Sequence, residues 1–497
     1  MRQDAHLRRS YRSILAYTGM ICLMAAGLML TPLVTLFFWP EEWRLAFRGF
    51  VLPAAAAGLV GGGMWAFCRR RGPVILTVEE GGVIVVLSWL VVCGFSSFPF
   101  MLIEGLDFTQ ALFEAVSGWT TTGLSVVDVT RAPHLILLWR STMQLAGGAG
   151  LAVIMIAAIA GPIGPGLSTA EGRSEQLVPQ VRESIKIVTA IYVGYAVIGT
   201  VALWLVGMGP FDAVNHAFAA ISTGGFATRT DSIGYWDSAA VEAVVMVLMV
   251  FGNLNFLTAY LLLQGKFKAV LRNGEVRLMA VLLPVSAWIC FWLVCGSLYA
   301  SLGKRARVAV FETVSALTTT GFSTVSYQNW NSLGILLLIL LMLIGGGTCS
   351  TAGGIKQYRI FVLFKSVGWD LRRAFLPRTA VVENFIWRGE QKDFLSEARV
   401  RQLGAFVFVY LTTYFVGAGI LTAHGISLSD SLFEFASAIG TVGLSVGVTA
   451  PTSPPLVLWA EICGMFLGRL EFFVIFLSLM KVFKDMAAML GKLQRTD

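Results

Sequence analysis

Ten apolar runs divide this chain, near residues 14–38, 46–67, 82–103, 135–160, 184–207, 239–263, 277–302, 332–366, 400–423 and 455–483. A helix needs roughly 20 residues to cross a bilayer, so each run is long enough to span. A chain partitioned in this way folds as an integral membrane protein, whose buried backbone groups must be satisfied internally. Composition agrees: 13% of the residues are charged, against about 25% in a soluble domain. The segment MRQDAHLRRSYR precedes the first run. That run is nevertheless too long for the core of a signal peptide, and no small-residue cleavage pattern follows it.

A formal charge of +8 raises the question of a polyanionic partner. Of 37 basic residues, 28 fall in the N-terminal tail, in segments 68–80, 161–187, 264–277 and 348–402, and in the C-terminal tail. Ten spans put all of these on one face, and excess Lys and Arg mark the cytoplasmic face. The basicity therefore reads as topology, with both termini cytoplasmic and no nucleic-acid partner. Seven cysteines lack metal-ligand spacing and read as packing residues.

Internal repetition supplies the next constraint. SGWTTTGLSVV at 117–127 and SALTTTGFSTV at 315–325 are near copies, and AAISTGGFAT at 219–228 and SAIGTVGLSVG at 437–447 are weaker ones. The aligned glycines, Gly123, Gly225, Gly321 and Gly443, are separated by 102, 96 and 122 residues, each room for two spans. Nine residues before them stand Glu114, His216, Glu312 and Glu434, preceded in three copies by Phe113, Phe311 and Phe433.

Between the two long helices of each copy lies a helical segment too short to cross, which must dip in and return. The polar residues after it are irregular backbone at membrane depth, tolerated only where buried in protein or lining a watery cavity. An even number of spans per copy gives all four the same orientation, so an axis along the membrane normal can relate them. The expected architecture is an all-α integral membrane protein: four pseudo-symmetric helix/pore-loop/helix repeats around a central pore, plus two extra N-terminal transmembrane helices. Its divisions fall at 1–80, 81–183, 184–275, 276–399 and 400–497.

Each short helix would aim its partially negative C-terminal end at the axis, making the centre attractive to cations. Glycine and threonine let carbonyls turn inward, and carbonyl rings can replace the hydration shell of a monovalent cation. No carboxylate stands in the polar tetrads, which argues against a divalent ion. Glu114, Glu312 and Glu434 read as carboxylates near helix starts, stabilised by the dipole's positive end, and His216 reads as a packing or hydrogen-bonding residue.

IGGGTCSTAGGIK, residues 344–356, interrupts the closing helix of the third copy. It reads as a loop beneath the central site that obstructs or clears the pore, with close helix packing through small residues as the alternative. Arg469 lies within the last apolar run, where an unpaired arginine costs several kcal/mol. Glu471 is two residues away and cannot face it on a helix, so Arg469 should face the pore or a neighbouring repeat. A solute carrier would show two large halves rather than quarters. An enzyme is disfavoured because HExxH and a clustered acid pair are missing from the spans.

These motifs, in this order and over nearly the whole chain, resemble the TrkH and KtrB type of microbial potassium transporters. The two helices before residue 80 are similar to the TrkH branch. The resemblance implies potassium uptake in a bacterial inner membrane, with K⁺ as the transported ion and no covalently bound cofactor. It implies a filter lined by carbonyls of Thr121, Thr122, Gly123 and Leu124, of Thr223, Gly224, Gly225 and Phe226, of Thr319, Thr320, Gly321 and Phe322, and of Thr441, Val442, Gly443 and Leu444. It further implies an intramembrane gate formed by Gly345, Gly346, Gly347, Thr348, Cys349, Ser350, Thr351, Ala352, Gly353 and Gly354, with Arg469 below the filter. Surrounding lipid, a second copy of the chain and a cytosolic nucleotide-sensing ring of the TrkA or KtrA kind are the partners implied. Segments 161–183 and 365–400 are the expected docking surface for that ring. The chain itself has no Walker motif, and GAGLAV at 148–153 lacks the last glycine of a dinucleotide fingerprint. Whether transport is channel-like or coupled to H⁺ or Na⁺ stays open at this level.

Overall fold

The helices start where the sequence supplies caps. Thr77 and Glu80 form a reciprocal capping box before Val78–Ser96, and Asp107 and Gln110 form another before Phe108–Trp119. Pro210 occupies the first turn of Pro210–Ile221, and the side chain of Ser427 accepts from Asp430 N at the start of Leu428–Gly440. The computed structural model describes residues 2–68, 77–150, 181–377, 383–388 and 391–493. Most of segment 161–183, the last part of the run 135–160 and the end of GAGLAV lie outside the described residues.

Six described helices are long and apolar enough to cross a membrane: Ser10–Phe37, Pro40–Cys68, Glu79–Glu104, Lys186–Leu205, Gly274–Leu298 and Glu397–Ala423. The first two pack through glycine. A Cβ on Gly19 would lie 2.6 Å from Gly61 O, and one on Gly61 2.7 Å from Gly19 O, the close backbone approach that small residues permit. Ile14, Ile21 and Ala25 bury in one core with Ile84 and Val85 of the third helix and with Phe113 of the first short helix.

The short helices are Phe108–Trp119, Pro210–Ile221, Leu302–Leu317 and Leu428–Gly440, of 12, 12, 16 and 13 residues. At 1.5 Å per residue none covers the roughly 30 Å of a bilayer core. Phe113, Phe311 and Phe433 are completely buried, which accounts for the recurrence of phenylalanine at that position.

Two expectations need correction. The four closing runs are not continuous spans, and the break is not confined to the third. His134–Ala149 ends at a left-handed Gly150. Ala239–Asn253 and Phe256–Leu263 meet at 114°, and Pro455–Leu470 and the helix from Phe472 meet at 100°. Ser332–Ile344 gives way to a loop before Gln357–Ala374. Hydropathy cannot see such breaks because apolar residues continue across them. The chain is also not purely α-helical: Phe385–Arg388 pairs antiparallel with Gln391–Phe394, Phe385 opposite Phe394.

Candidate functional site

After each short helix the backbone takes the same form. Thr121, Thr223, Thr319 and Thr441 have φ of 56°, 51°, 53° and 49°, and Gly123, Gly225, Gly321 and Gly443 have 97°, 73°, 82° and 102°. A β-branched residue at positive φ is a true outlier. Each costs about 1–3 kcal/mol, a strain that persists only where the surroundings enforce it. The enforcing bonds are visible. Thr122 N, Gly224 N, Thr320 N and Val442 N each donate back to the carbonyl five residues earlier, those of Ser117, Ala219, Ser315 and Ser437, at 2.8–3.0 Å. With the amide hydrogens turned towards the helix, the carbonyls are left over. Among the described residues no hydrogen bond reaches the carbonyl oxygens of Thr121, Thr122, Gly123, Thr223, Gly225, Thr319, Thr320, Gly321, Thr441, Val442 or Gly443.

The four loops meet in a closed cycle. A Cβ on Gly123 would overlap the carbonyl oxygen of Gly224, one on Gly225 that of Thr320, one on Gly321 that of Val442, and one on Gly443 that of Thr122. The helix ends bring their negative poles to the same centre. The row of free carbonyls is shorter than the four residues expected in three loops, the second because Gly224 O accepts from Gln144 Nε2 at 2.5 Å. Ser117 Oγ donates to Leu124 O and Ser315 Oγ to Phe322 O, both at 2.6 Å.

The glutamates are not at helix starts. Glu114 is in mid-helix, as is Glu434, and Glu312 is further along still, so the dipole reading fails. Instead each carboxylate holds the outgoing loop. Glu114 accepts from Val126 N and Ser125 Oγ at 3.0 Å, and Glu312 accepts from Thr324 N and Oγ1 at 2.8 Å. Glu434 accepts from Ser445 Oγ at 2.7 Å, Val446 N at 3.1 Å and Thr449 N at 3.0 Å. His216 accepts or donates no such bond. Its Nδ1 lies 2.8 Å from Asp212 O and its ring packs on Trp236 and Phe322. Asp212, one turn earlier, takes over by accepting from Thr228 Oγ1 at 2.7 Å.

The glycine-rich loop lies against three of the left-handed threonines. Thr351 Oγ1 is 3.1 Å from Thr223 Oγ1, and Gly353 N donates to Thr319 Oγ1 at 2.7 Å. A Cβ on Gly353 would overlap Gly440 O and Thr441 Oγ1, so only glycine permits that approach. Thr348, at the other end of the loop, donates through N and Oγ1 to Glu275 Oε1 at 2.7 and 2.8 Å.

Arg469 reaches across the same region. Its guanidinium donates to Thr351 O at 2.6 Å and to Gly147 O at 2.7 Å, tying the loop to the helix His134–Ala149. Glu471 sits at the break with φ 56° and pairs with Arg359 at 2.7 Å. Lys356 joins the site without having been expected there. It is left-handed at φ 85°, and its ammonium donates to the Ala352 carbonyl; the one lysine closing the GGIK motif is the available signal. These groups border a cavity of about 70 Å³ lined by Gly147, Gly150, Ser350, Lys356, Arg469 and Glu471, among others.

Residues 50–487 match the family model described as TrkH, cation transport protein. The chain is 32% identical over 485 residues to the Trk system potassium uptake protein TrkH of Escherichia coli, covering 94% of this chain and 97% of that protein. It is 30% identical over 470 residues to an uncharacterised cation transporter of Methanocaldococcus jannaschii, with 93% and 94% covered. The crystal structure of the potassium transporter TrkH from Vibrio parahaemolyticus superposes with a TM-score of 0.81 at 29% identity, covering 94% of this chain and 98% of that one. Spacing of the polar loops, near-complete coverage and a shared fold lead to one conclusion: this chain belongs to the TrkH family of cation transporters and is not an enzyme.

Proposed function

We propose that this protein takes up potassium across the cell membrane through a filter of backbone carbonyls formed by the four threonine–glycine loops. The observation that carries the reading is the closed cycle of glycine contacts, in which the carbonyl oxygens of Thr122, Thr320 and Val442 accept no hydrogen bond among the described residues. A ring of such oxygens substitutes for the water shell of a monovalent cation. Thr121 Oγ1 and Thr441 Oγ1, buried without a hydrogen-bond partner, add two further oxygens suited to an ion or its water. The glutamates are engaged on the outgoing loops, which leaves the ring neutral and poorly matched to a divalent ion. Relatives named as potassium uptake proteins favour K⁺ as cargo.

In this reading four quasi-equivalent units, bounded as the sequence divides them, surround the pore, and two helices precede them. Residues 345–354 with Arg469 form the gate, held closed from below. The basic segments face the cytoplasm of a bacterial inner membrane together with both termini. A second copy of the chain and a cytosolic TrkA-type ring complete the assembly, and the ring docks near 161–183 and 365–400.

The test is rescue of a potassium-uptake-deficient bacterium at low external K⁺, alongside K⁺, Rb⁺, Na⁺ and H⁺ flux into liposomes holding the purified protein. Growth and a K⁺ flux exceeding Na⁺ flux are expected. Folded protein that moves no cation would sink the reading. Deleting part of residues 345–354 should raise basal flux, and unchanged or lower flux in folded protein would remove the loop from the gate.

A further inference from the structure

Three of the four short helices carry a serine six residues before the loop glycine: Ser117, Ser315 and Ser437. Each serves its own loop. Ser117 Oγ accepts from Gly123 N at 3.1 Å and donates to Leu124 O, Ser315 Oγ donates to Phe322 O, and Ser437 Oγ accepts from Gly443 N at 2.9 Å. The second unit has Ala219 there, with no hydroxyl to offer.

Gln144 holds the second loop from another element, through different backbone groups. It stands on His134–Ala149 of the preceding unit and is completely buried. Its Nε2 donates to Gly224 O at 2.5 Å and its Oε1 accepts from Phe226 N at 3.2 Å. Only one orientation of the amide satisfies both groups, so the assignment follows from the pairing. The second loop also differs at the residue before its aligned glycine, which is Gly224 where the others have Thr122, Thr320 and Val442. A Cβ on Gly224 would fall 2.6 Å from Gln144 Oε1 and 2.7 Å from Nε2. Ala219, Gly224 and Gln144 therefore form one matched set.

We infer that Gln144 is a specificity-determining positioning residue of the ion path, an inference that rests on the proposed carbonyl filter. Its amide holds the second loop, which lacks the serine, by bonding Phe226 N and Gly224 O, and so occupies one of the four equivalent carbonyls, those of Thr122, Gly224, Thr320 and Val442. That layer then offers three carbonyls free of hydrogen bonds and one that shares its electron density with an amide N–H. An ion there meets an uneven field, and the strength of coordinating carbonyl dipoles is one determinant of K⁺ over Na⁺.

The experiment compares wild type, Gln144→Glu, and the pair Gln144→Leu with Ala219→Ser in liposomes, reading the K⁺/Na⁺ flux ratio and the K⁺ concentration at half-maximal flux. Gln144→Glu keeps the acceptor for Phe226 N and removes the donor to Gly224 O. It should change the flux ratio by roughly three- to tenfold, the equivalent of one buried hydrogen bond. The pair gives the loop the serine that the other units use, which holds it through the groups equivalent to Gly123 N and Leu124 O, and should fold and discriminate closer to wild type than Gln144→Leu alone. Folded Gln144→Glu with an unaltered ratio and half-saturation would overturn the inference, as would a pair that misfolds or shows no recovery. Should wild type itself carry no K⁺, the proposed function falls and the inference with it; a selective wild type with indifferent variants removes only the role of Gln144.

Discussion

Arg140 Nε lies 2.7 Å from Glu114 Oε1, with the arginine side chain 3% exposed and the glutamate 0%. The same guanidinium donates to Ala227 O at 3.0 Å and to Ser125 Oγ at 2.9 Å, and lies 4.0 Å from the centre of the Phe226 ring. It therefore fastens the outgoing loops of two units together. Removing one partner of a buried pair strands the other charge, at about 3–5 kcal/mol. Arg140→Leu should lower the melting temperature in detergent markedly, while Arg140→Met with Glu114→Gln recovers part of the loss. Equal melting of wild type and Arg140→Leu would show that the pair contributes nothing.

Gly321, at φ 82°, faces Val442 O of the next loop, so a methyl group there meets both a clash and a strained backbone. Gly321→Ala should reduce the K⁺/Na⁺ flux ratio by about tenfold or more, the effect of a distortion near 1.4 kcal/mol. Gly123→Ser should act in the same direction against Gly224 O. Gly419 is the control: a Cβ added there would meet nothing within 4 Å, and Gly419→Ala should leave the ratio alone. Selective transport surviving in Gly321→Ala would count against that glycine lining the ion path.

Arg469 bonds one carbonyl of the glycine-rich loop and one of the helix His134–Ala149. Arg469→Ala should release the glycine-rich loop and raise basal K⁺ flux several-fold. Arg469→Lys should fall between the two, because an ammonium lacks the planar fork that reaches two acceptors at once. Flux equal to wild type in folded Arg469→Ala would return the residue to a purely structural role.

Thr449 Oγ1 lies 2.6 Å from Glu434 Oε1 and 3.2 Å from Glu461 Oε2. A hydroxyl has one hydrogen; it goes to the nearer oxygen, and the second contact needs a hydrogen from the other side. Both glutamates are buried, and among the described residues neither forms an ion pair. Glu461→Gln supplies the missing hydrogen from its amide and should preserve flux and melting temperature. Glu461→Leu leaves Thr449 short of that contact and should melt lower. A collapse of Glu461→Gln would show that the carboxyl group itself is required.

Regular spacing makes the short helices, the threonine–glycine loops and the interruption at 344–356 legible, because each depends on local residue chemistry repeated along the chain. Equivalent backbone angles recur at Thr121, Thr223, Thr319 and Thr441, the one residue besides glycine that all four loops share. What stays hidden depends on distant partners. Glu114 is marked by its distance from Gly123, yet its role is set by Arg140 and Val126. The breaks at Gly150, Leu254 and Glu471 lie in apolar surroundings, with Asn253, Asn255 and Glu471 as the faint signals. Gln144 is a single polar residue on a helix whose purpose emerges only beside Ala219 and Gly224.

The cycle of glycine contacts works as a hoop. Each loop bears on the next and the fourth bears on the first, so no quarter can move outward or inward without displacing its neighbours. The circumference is therefore shared by the whole chain although its sequence differs in every quarter. The residue before the aligned glycine differs between quarters, as Thr122, Gly224 and Val442 show. The radius is common to all four, and a substitution in one quarter is felt even in the one it never touches.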